Sequence, residues 1–310
     1  MFRKARRLYR NIIHALNHEY EKELNSVYRA LDDLKQENQL LHVLTYAYQH
    51  KKYQEEAEFL QNKKELQVFP YPIVKHLSKI DGGYDDSLML PYVLHNDRRL
   101  YFSADMSVEE AKDKYRNYIE EENLLGGGYM MKAPHQYLSN TITIQDCDVL
   151  IDLGAAEGLL SLDVVDKVEH VVLVESELQW MKPLQATFAP YKDKVTIINK
   201  YVSDKNSDRE ISLQQLLEMF PDKRVMVKMD IEGQELPVLR GAREYIKERD
   251  GLTFLCCTYH RAGDEEEAQQ LFEEVGYQIE ISEGYILFDF YNTPLNPPYF
   301  RRGIIRAYRK

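Results

Sequence analysis

Across residues 149–290, short apolar runs alternate with amphipathic stretches, and the first run passes straight into a turn bracketed by Gly154 and Gly158. This alternation constrains the chain more than any other feature. Strand–helix units in series build a mostly parallel α/β sheet, because each parallel strand has to be reached by a crossover. The strands read as 149–153, 171–175, 195–198, 225–229 and 253–259, with helices over 178–188, 213–219, 235–247 and 264–275. A closing pair, 277–281 and 285–290 around Ser282-Glu283-Gly284, predicts one antiparallel strand near an edge of a Rossmann-like sheet. Ligands of such sheets bind beyond the carboxyl ends of the strands. The polar residues at those ends are Asp152, Glu175, Ser203 with Asp204, Asp230 with Glu232, and Tyr259 with His260.

The chain ahead of the sheet has a different character. Residues 1–64 contain neither Gly nor Pro and read as a helical extension; 65–140 form a mixed accessory segment; the cofactor domain with a basic C-terminal tail spans 141–310. Leu24, Leu31 and Asn38 fall at a positions, and Val27, Leu34 and Leu41 at d positions, of a heptad pattern. The pattern fits a coiled coil and possible homodimer, or, as the favoured expectation, a helix that packs on its own domain. Basic residues gather at both ends: Arg3, Lys4, Arg6, Arg7 and Arg10, then Arg301, Arg302, Arg306, Arg309 and Lys310. These decapeptides suit a partner, an anionic glycan or weak peripheral contact with a membrane surface.

Even with those tails the net charge is −11, which argues against a nucleic-acid partner. No apolar run reaches the roughly 20 residues of a membrane span, and no apolar h-region follows the basic start. Cys147, Cys256 and Cys257 are too few for a disulfide framework, so a cytoplasmic setting is expected.

The strand, the turn from Gly154 to Gly158 and the helix after it point to a nucleoside cofactor. The small residues admit close backbone approach, and Glu175, closing the next strand, suits the two hydroxyls of a ribose. A dinucleotide fingerprint needs a small residue where Leu159 stands, which disfavours a nicotinamide-dependent oxidoreductase. Asp152 would repel a pyrophosphate and suits the cationic amino group of S-adenosylmethionine.

These residues carry a resemblance. Asp152-Leu153-Gly154-Ala155-Ala156-Glu157-Gly158 resembles the first motif of class I S-adenosylmethionine-dependent methyltransferases. Val227-Lys228-Met229-Asp230-Ile231-Glu232-Gly233-Gln234-Glu235, continued by Val238-Leu239-Arg240-Gly241-Ala242, is similar to the signature of the FkbM family in that class. The likeness covers residues 149–288, and Ala156 stands where the family usually has Asn. It implies O-methylation of a hydroxyl on a sugar, glycan or other small-molecule precursor. It also implies that Asp152, Gly154, Ala156 and Gly158 line the methionine end, that Glu175 takes the ribose, and that Ser176 with Ser203 and Asp204 borders the adenine.

For a base the candidates are His260, which titrates in the useful range, and Asp230, which lies in the more specific motif. Asp230, Glu232 and Glu235 read as helix caps ahead of a magnesium site, and no metal is expected. His135, just before the first strand, is in reach of the cleft or is a packing residue. The rival to an enzyme is a non-catalytic binding module assembled through the N-terminal helix.

Overall fold

The computed structural model describes residues 2–288 and 296–309, with side chains from Tyr20 onward. It divides into two compact units, Met1–Pro70 with Asp289–Tyr299, and Tyr71–Phe288 with Phe300–Lys310.

The first unit is built on one helix, Phe2–Gln49, followed after a 3-10 turn by a second, Gln54–Lys63. His50, in an extended conformation, interrupts the helix, and Lys64 closes the second one in a left-handed conformation (φ 61°). Val43, Ala47, Tyr53, Ala57 and Leu60 are buried. The heptad positions behave otherwise. Leu24, Val27, Leu31, Leu34 and Leu41 are exposed, Leu34 and Leu41 to 62% and 63%. The expected packing of this stripe on its own domain therefore does not occur. The basic front, including the residues expected at a membrane surface, lies outside the described side chains. Among the described residues no helix is long and apolar enough to cross a membrane.

The second unit opens with an antiparallel meander of β1 (Gly82–Asp85), β2 (Leu90–His95) and β3 (Arg98–Tyr101). The main sheet uses β4 (Val149–Leu153), β5 (His170–Val174) and β6 (Val195–Ile198), then, after a small parallel pair β7 (Tyr201–Ser203) and β8 (Glu210–Ser212), β9 (Val225–Met229), β10 (Leu252–Cys257) and β11 (Gln278–Ile281). A short pair, β12 (Ile286–Leu287) with β13 (Phe300–Arg301), precedes β14 (Ile304–Tyr308). The seven strands run in the order β11-β14-β10-β9-β4-β5-β6, and β14 is antiparallel to both its neighbours. This is the Rossmann-like α/β sheet that the alternation predicts, with its antiparallel strand second from the edge. Val149, Ile151 and Leu153 join Val227, Met229, Phe254 and Cys256 in one core. By the period of two, Asp152, Lys228 and Cys257 belong to the opposite face. None of the three cysteines is in a disulfide.

Two expectations change. The closing strands do not pair with each other: β11 pairs with β14, and β12 with β13. After β11 the chain is tied elsewhere, since Ser282 Oγ donates to Pro134 O (2.6 Å) and accepts from Ile304 N (2.9 Å). The basic C-terminal segment is also no free tail, because Ile304, Ile305 and Ala307 fill the sheet and Arg306 is buried with them. Its guanidinium donates to Tyr137 O (2.7 Å), Gln136 O (2.5 Å) and Glu280 Oε1 (2.8 Å). Arg301 donates to the carbonyls of Tyr259 (2.7 Å) and His260 (2.8 Å). Residues 71–140 lie in the same compact unit as the sheet.

Replacing Arg306 by Leu removes three hydrogen bonds at once. The expected cost is about 2–3 kcal/mol, measured as a fall in the urea midpoint, and an unchanged midpoint would remove Arg306 from the framework.

Candidate functional site

The strand order reverses between β4 and β9, and the polar residues gather at the carboxyl ends of those strands. Gly154 is the hinge. At φ +72° its backbone lies so near β9 that a Cβ would stand 1.9 Å from Asp230 O, so only glycine fits. Ala156 and Gly158 also have positive φ, +46° and +80°. Ala156 thus holds a conformation that Asn and Gly adopt more cheaply, at a cost of about 1 kcal/mol.

Glu175 ties the neighbouring strand ends together. Its buried carboxylate accepts from Ala156 N (2.9 Å) and Glu177 N (2.8 Å). Asn199, just past β6, donates to the carbonyls of Glu175 (2.8 Å) and Ser176 (3.0 Å). Ser203 closes β7 and Asp204 follows it. Ser203 Oγ accepts from Lys205 N (3.0 Å), and both residues line a cavity with Asn206, Ser212, Gln215 and Gly241.

Asp152 meets a cation of the protein's own. It stands in register with Lys228, whose ammonium lies 3.1 Å from Asp152 Oδ1 and donates to Gly154 O (2.6 Å), while Ser161 Oγ donates to Asp152 Oδ2 (2.7 Å). The expected role of Asp152 as partner of a ligand ammonium group thus finds this carboxylate buried and engaged by Lys228 and Ser161. Burial disfavours the charge on Lys228, but Asp152 and Asp230 outweigh it and hold the ammonium protonated. Within the turn, Glu157 is buried, accepts from Tyr118 O–H (3.0 Å), and is pushed up by that burial to about 7.

Asp230 is the centre. Tyr137 O–H donates to its Oδ2 (2.8 Å) and Tyr259 O–H to its Oδ1 (3.2 Å). His135 Nε2 lies 3.5 Å from Oδ2 and His260 Nε2 lies 3.3 Å from Oδ1. The far nitrogens are also taken: His135 Nδ1 meets Glu122 Oε2 (2.8 Å), and His260 Nδ1 meets Glu235 Oε1 (3.1 Å). Burial works against charge on both rings, yet hydrogen bonds to these acids win and raise His135 to about 9 and His260 to about 10. Burial likewise pushes Asp230 up, but both histidines and Lys228 hold it well below the carboxylate range. The acids on either side of His260 thus favour its imidazolium form, and the cations around Asp230 favour its carboxylate. Burial, then the Asp230 charge, keeps Tyr137 and Tyr259 neutral and donating.

Of the residues nominated from sequence, Asp152, Gly154, Ala156, Glu175, Asp230 and His260 come together at these strand ends. Glu122, Tyr137 and Glu157, with the partners Tyr118 and Asn199, were not nominated. Lys228 had a signal: a charged residue inside the apolar strand Val225-Met226-Val227-Lys228-Met229 needs a buried partner.

No protein-family model matches the chain, and no curated protein matches it. Among solved structures it is similar to precorrin-6y C5,15-methyltransferase from Geobacter metallireducens (13% identity, 52% of this chain and 80% of that one, TM-score 0.36). Two others are precorrin 8W decarboxylase from Methanobacterium thermoautotrophicum (17%, 53% and 81%, TM-score 0.35) and the C-terminal domain of precorrin-6Y C5,15-methyltransferase from Rhodobacter capsulatus (12%, 52% and 77%, TM-score 0.34). Likeness at this depth carries no information on cofactor or substrate.

The two raised histidines set a pH dependence. Each binds its proton more tightly folded than unfolded, so their stabilisation is complete below the unfolded value of 6.5 and is lost as pH rises through about 9 and about 10. The urea midpoint is expected to fall between about pH 7 and about pH 10, and His260→Gln to start lower and fall less steeply. An unaltered pH slope in that variant would contradict the ion-pair assignment.

Proposed function

We propose that the chain is a class I S-adenosylmethionine-dependent methyltransferase, close to the FkbM type, that methylates a hydroxyl of a sugar, glycan or other small-molecule precursor. One observation carries the reading. At the point where the strand order reverses, the Gly154 turn presses its backbone on Asp230, with Glu175 capping the adjacent strand end. A nucleoside ligand fits this arrangement: Glu175 still has lone pairs for ribose hydroxyls beside the two amides it accepts from. Asp152 supports the turn through Lys228 in this reading, and the backbone of Gly154, Ala156 and Gly158 lines the methionine end. Ser176 follows Glu175 at the nucleoside end, and Ser203 with Asp204 is the proposed outer border on the adenine side.

The chemistry asks little of the protein beyond alignment. The acceptor oxygen bonds to the methyl carbon as the carbon–sulfur bond opens. The electron pair of that bond stays on sulfur, giving neutral S-adenosylhomocysteine, and the hydroxyl proton passes to Asp230. His260 and His135 keep Asp230 ionised, and the Tyr137 and Tyr259 hydroxyls orient it.

A second reading, a binding module assembled through the long helix, draws on the exposed stripe from Leu24 to Leu41. Self-association also fits an enzyme: two helices pairing along that stripe put Asn38 at a positions, where one polar residue fixes register. The apolar face would then be covered.

Calorimetry is expected to detect S-adenosylmethionine binding that Glu175→Ala weakens roughly tenfold or more, as loss of charge-assisted hydrogen bonds requires. Unchanged affinity would refute the ribose assignment, and no binding to the wild type would favour the module. Sedimentation should show a dimer that Leu31→Glu with Leu34→Glu converts to monomer.

A further inference from the structure

The turn from Gly154 to Gly158 contains one charged residue, Glu157. Its side chain is buried, yet among the described residues no Lys, Arg or His forms an ion pair with it. Its one side-chain partner there is a neutral donor, the Tyr118 hydroxyl, 3.0 Å from Oε2. A helical turn of the wide π type, Asn117–Glu121, closed by Glu122 N donating to Asn117 O (2.9 Å), carries Tyr118 to it. The same turn leads into Glu122, which holds His135 of the Asp230 centre. Two lysines act on Glu157 from farther away. Lys114 lies over the Trp180 ring (5.2 Å to its centroid), and Lys228 is engaged with Asp152. Asp152 and Asp230 each have a cation of the protein's own beside them, and Glu157 has none.

We propose that Glu157 is the counter-charge for the cation of the bound methyl donor, and so the residue that distinguishes charged S-adenosylmethionine from neutral S-adenosylhomocysteine. The assignment rests on the methyl-transfer reading. Three observations carry it. A carboxylate withdrawn from water without a counter-ion is unfavourable, so the site gains most from a ligand that brings a positive charge. The backbone of the same turn lines the methionine end in that reading, so Glu157 shares the turn with the part of the ligand that holds the sulfonium. Asp152, the acid that the sequence offered to a ligand cation, is taken by Lys228 and Ser161.

The charge on Glu157 is conditional. Burial pushes its carboxyl up to about 7, against the pull of its own backbone amide, Lys114, the Tyr118 hydroxyl and Lys228. Tyr118 stays neutral through burial and the nearby charges of Glu157, Glu122 and Asp230. A ligand cation adds to the pull on Glu157, so binding expels the proton that this carboxyl holds at and below neutrality. Methyl transfer then discharges the sulfur, the carboxylate loses its partner, and the product is held less tightly than the donor.

Calorimetry on the full-length protein tests this with both ligands between about pH 6 and about pH 8. In the wild type, affinity for S-adenosylmethionine relative to S-adenosylhomocysteine is expected to rise roughly tenfold over that range. Glu157→Gln keeps the shape without the charge and should hold the ratio low; its residual slope reports the ligands' own amino groups. In buffers of different ionisation enthalpy, proton release on binding S-adenosylmethionine should be larger in the wild type than in Glu157→Gln. Tyr118→Phe removes a donor that favours the carboxylate and should move the rise to higher pH. Equal ratios and slopes in the wild type and Glu157→Gln would overturn the assignment while leaving cofactor binding intact. Failure of the wild type to bind either ligand would instead remove the methyl-transfer reading, and this assignment with it.

Discussion

A lysine in the middle of a parallel sheet carries the arrangement. Removing the Lys228 ammonium from water costs several kcal/mol, and such a charge persists only where a counter-charge and hydrogen bonds meet it. Asp152 supplies the charge from the facing position of β4, and the carbonyls of Leu153 and Gly154 accept its protons. Those carbonyls belong to the last residues of β4 and the start of its turn. One ammonium therefore fastens the carboxyl ends of the two central strands, where Gly154 rests on Asp230. Everything chemically interesting sits downstream of that fastening.

The charges of the site balance over a short range. Asp230 stays ionised because two imidazoliums and Lys228 surround it, and the outer acids Glu122 and Glu235 keep those imidazoliums charged. Arginines from the end of the chain then hold the loops from behind. Arg306 grips the successive carbonyls of Gln136 and Tyr137, and Arg301 grips those of Tyr259 and His260. A basic cluster that suggests an external anion in the sequence is, for these two residues, a set of internal backbone ligands.

How much was legible follows from the range of each interaction. The strand–turn–helix at 149–158 and the acids at strand ends are local patterns, and the sheet class follows from them. The true partner of β11 was not legible, since Ile304-Ile305-Arg306-Ala307-Tyr308 hides its alternation behind flanking arginines. Nor was the fate of Asp152, whose partner is chosen by register with a strand more than seventy residues away. His260 was read from its ordinary titration range, but its charge is set by Asp230 and Glu235, which only the fold brings to it. Tyr118, Glu122 and Tyr137 come from a segment with no pattern of its own.

The placement of β14 has a consequence for assembly. It fills the gap between β10 and β11, yet it follows both in the chain. Until it inserts, β11 has no neighbour in the sheet and the gap beside β10 is open. The two arginines that fix the Asp230 loops flank or occupy the same strand. Closing such a long-range gap is slow compared with forming local helices. Order in the sheet and order in the site therefore arrive together, so a chain with its β4–β9 half already folded still lacks the chemistry.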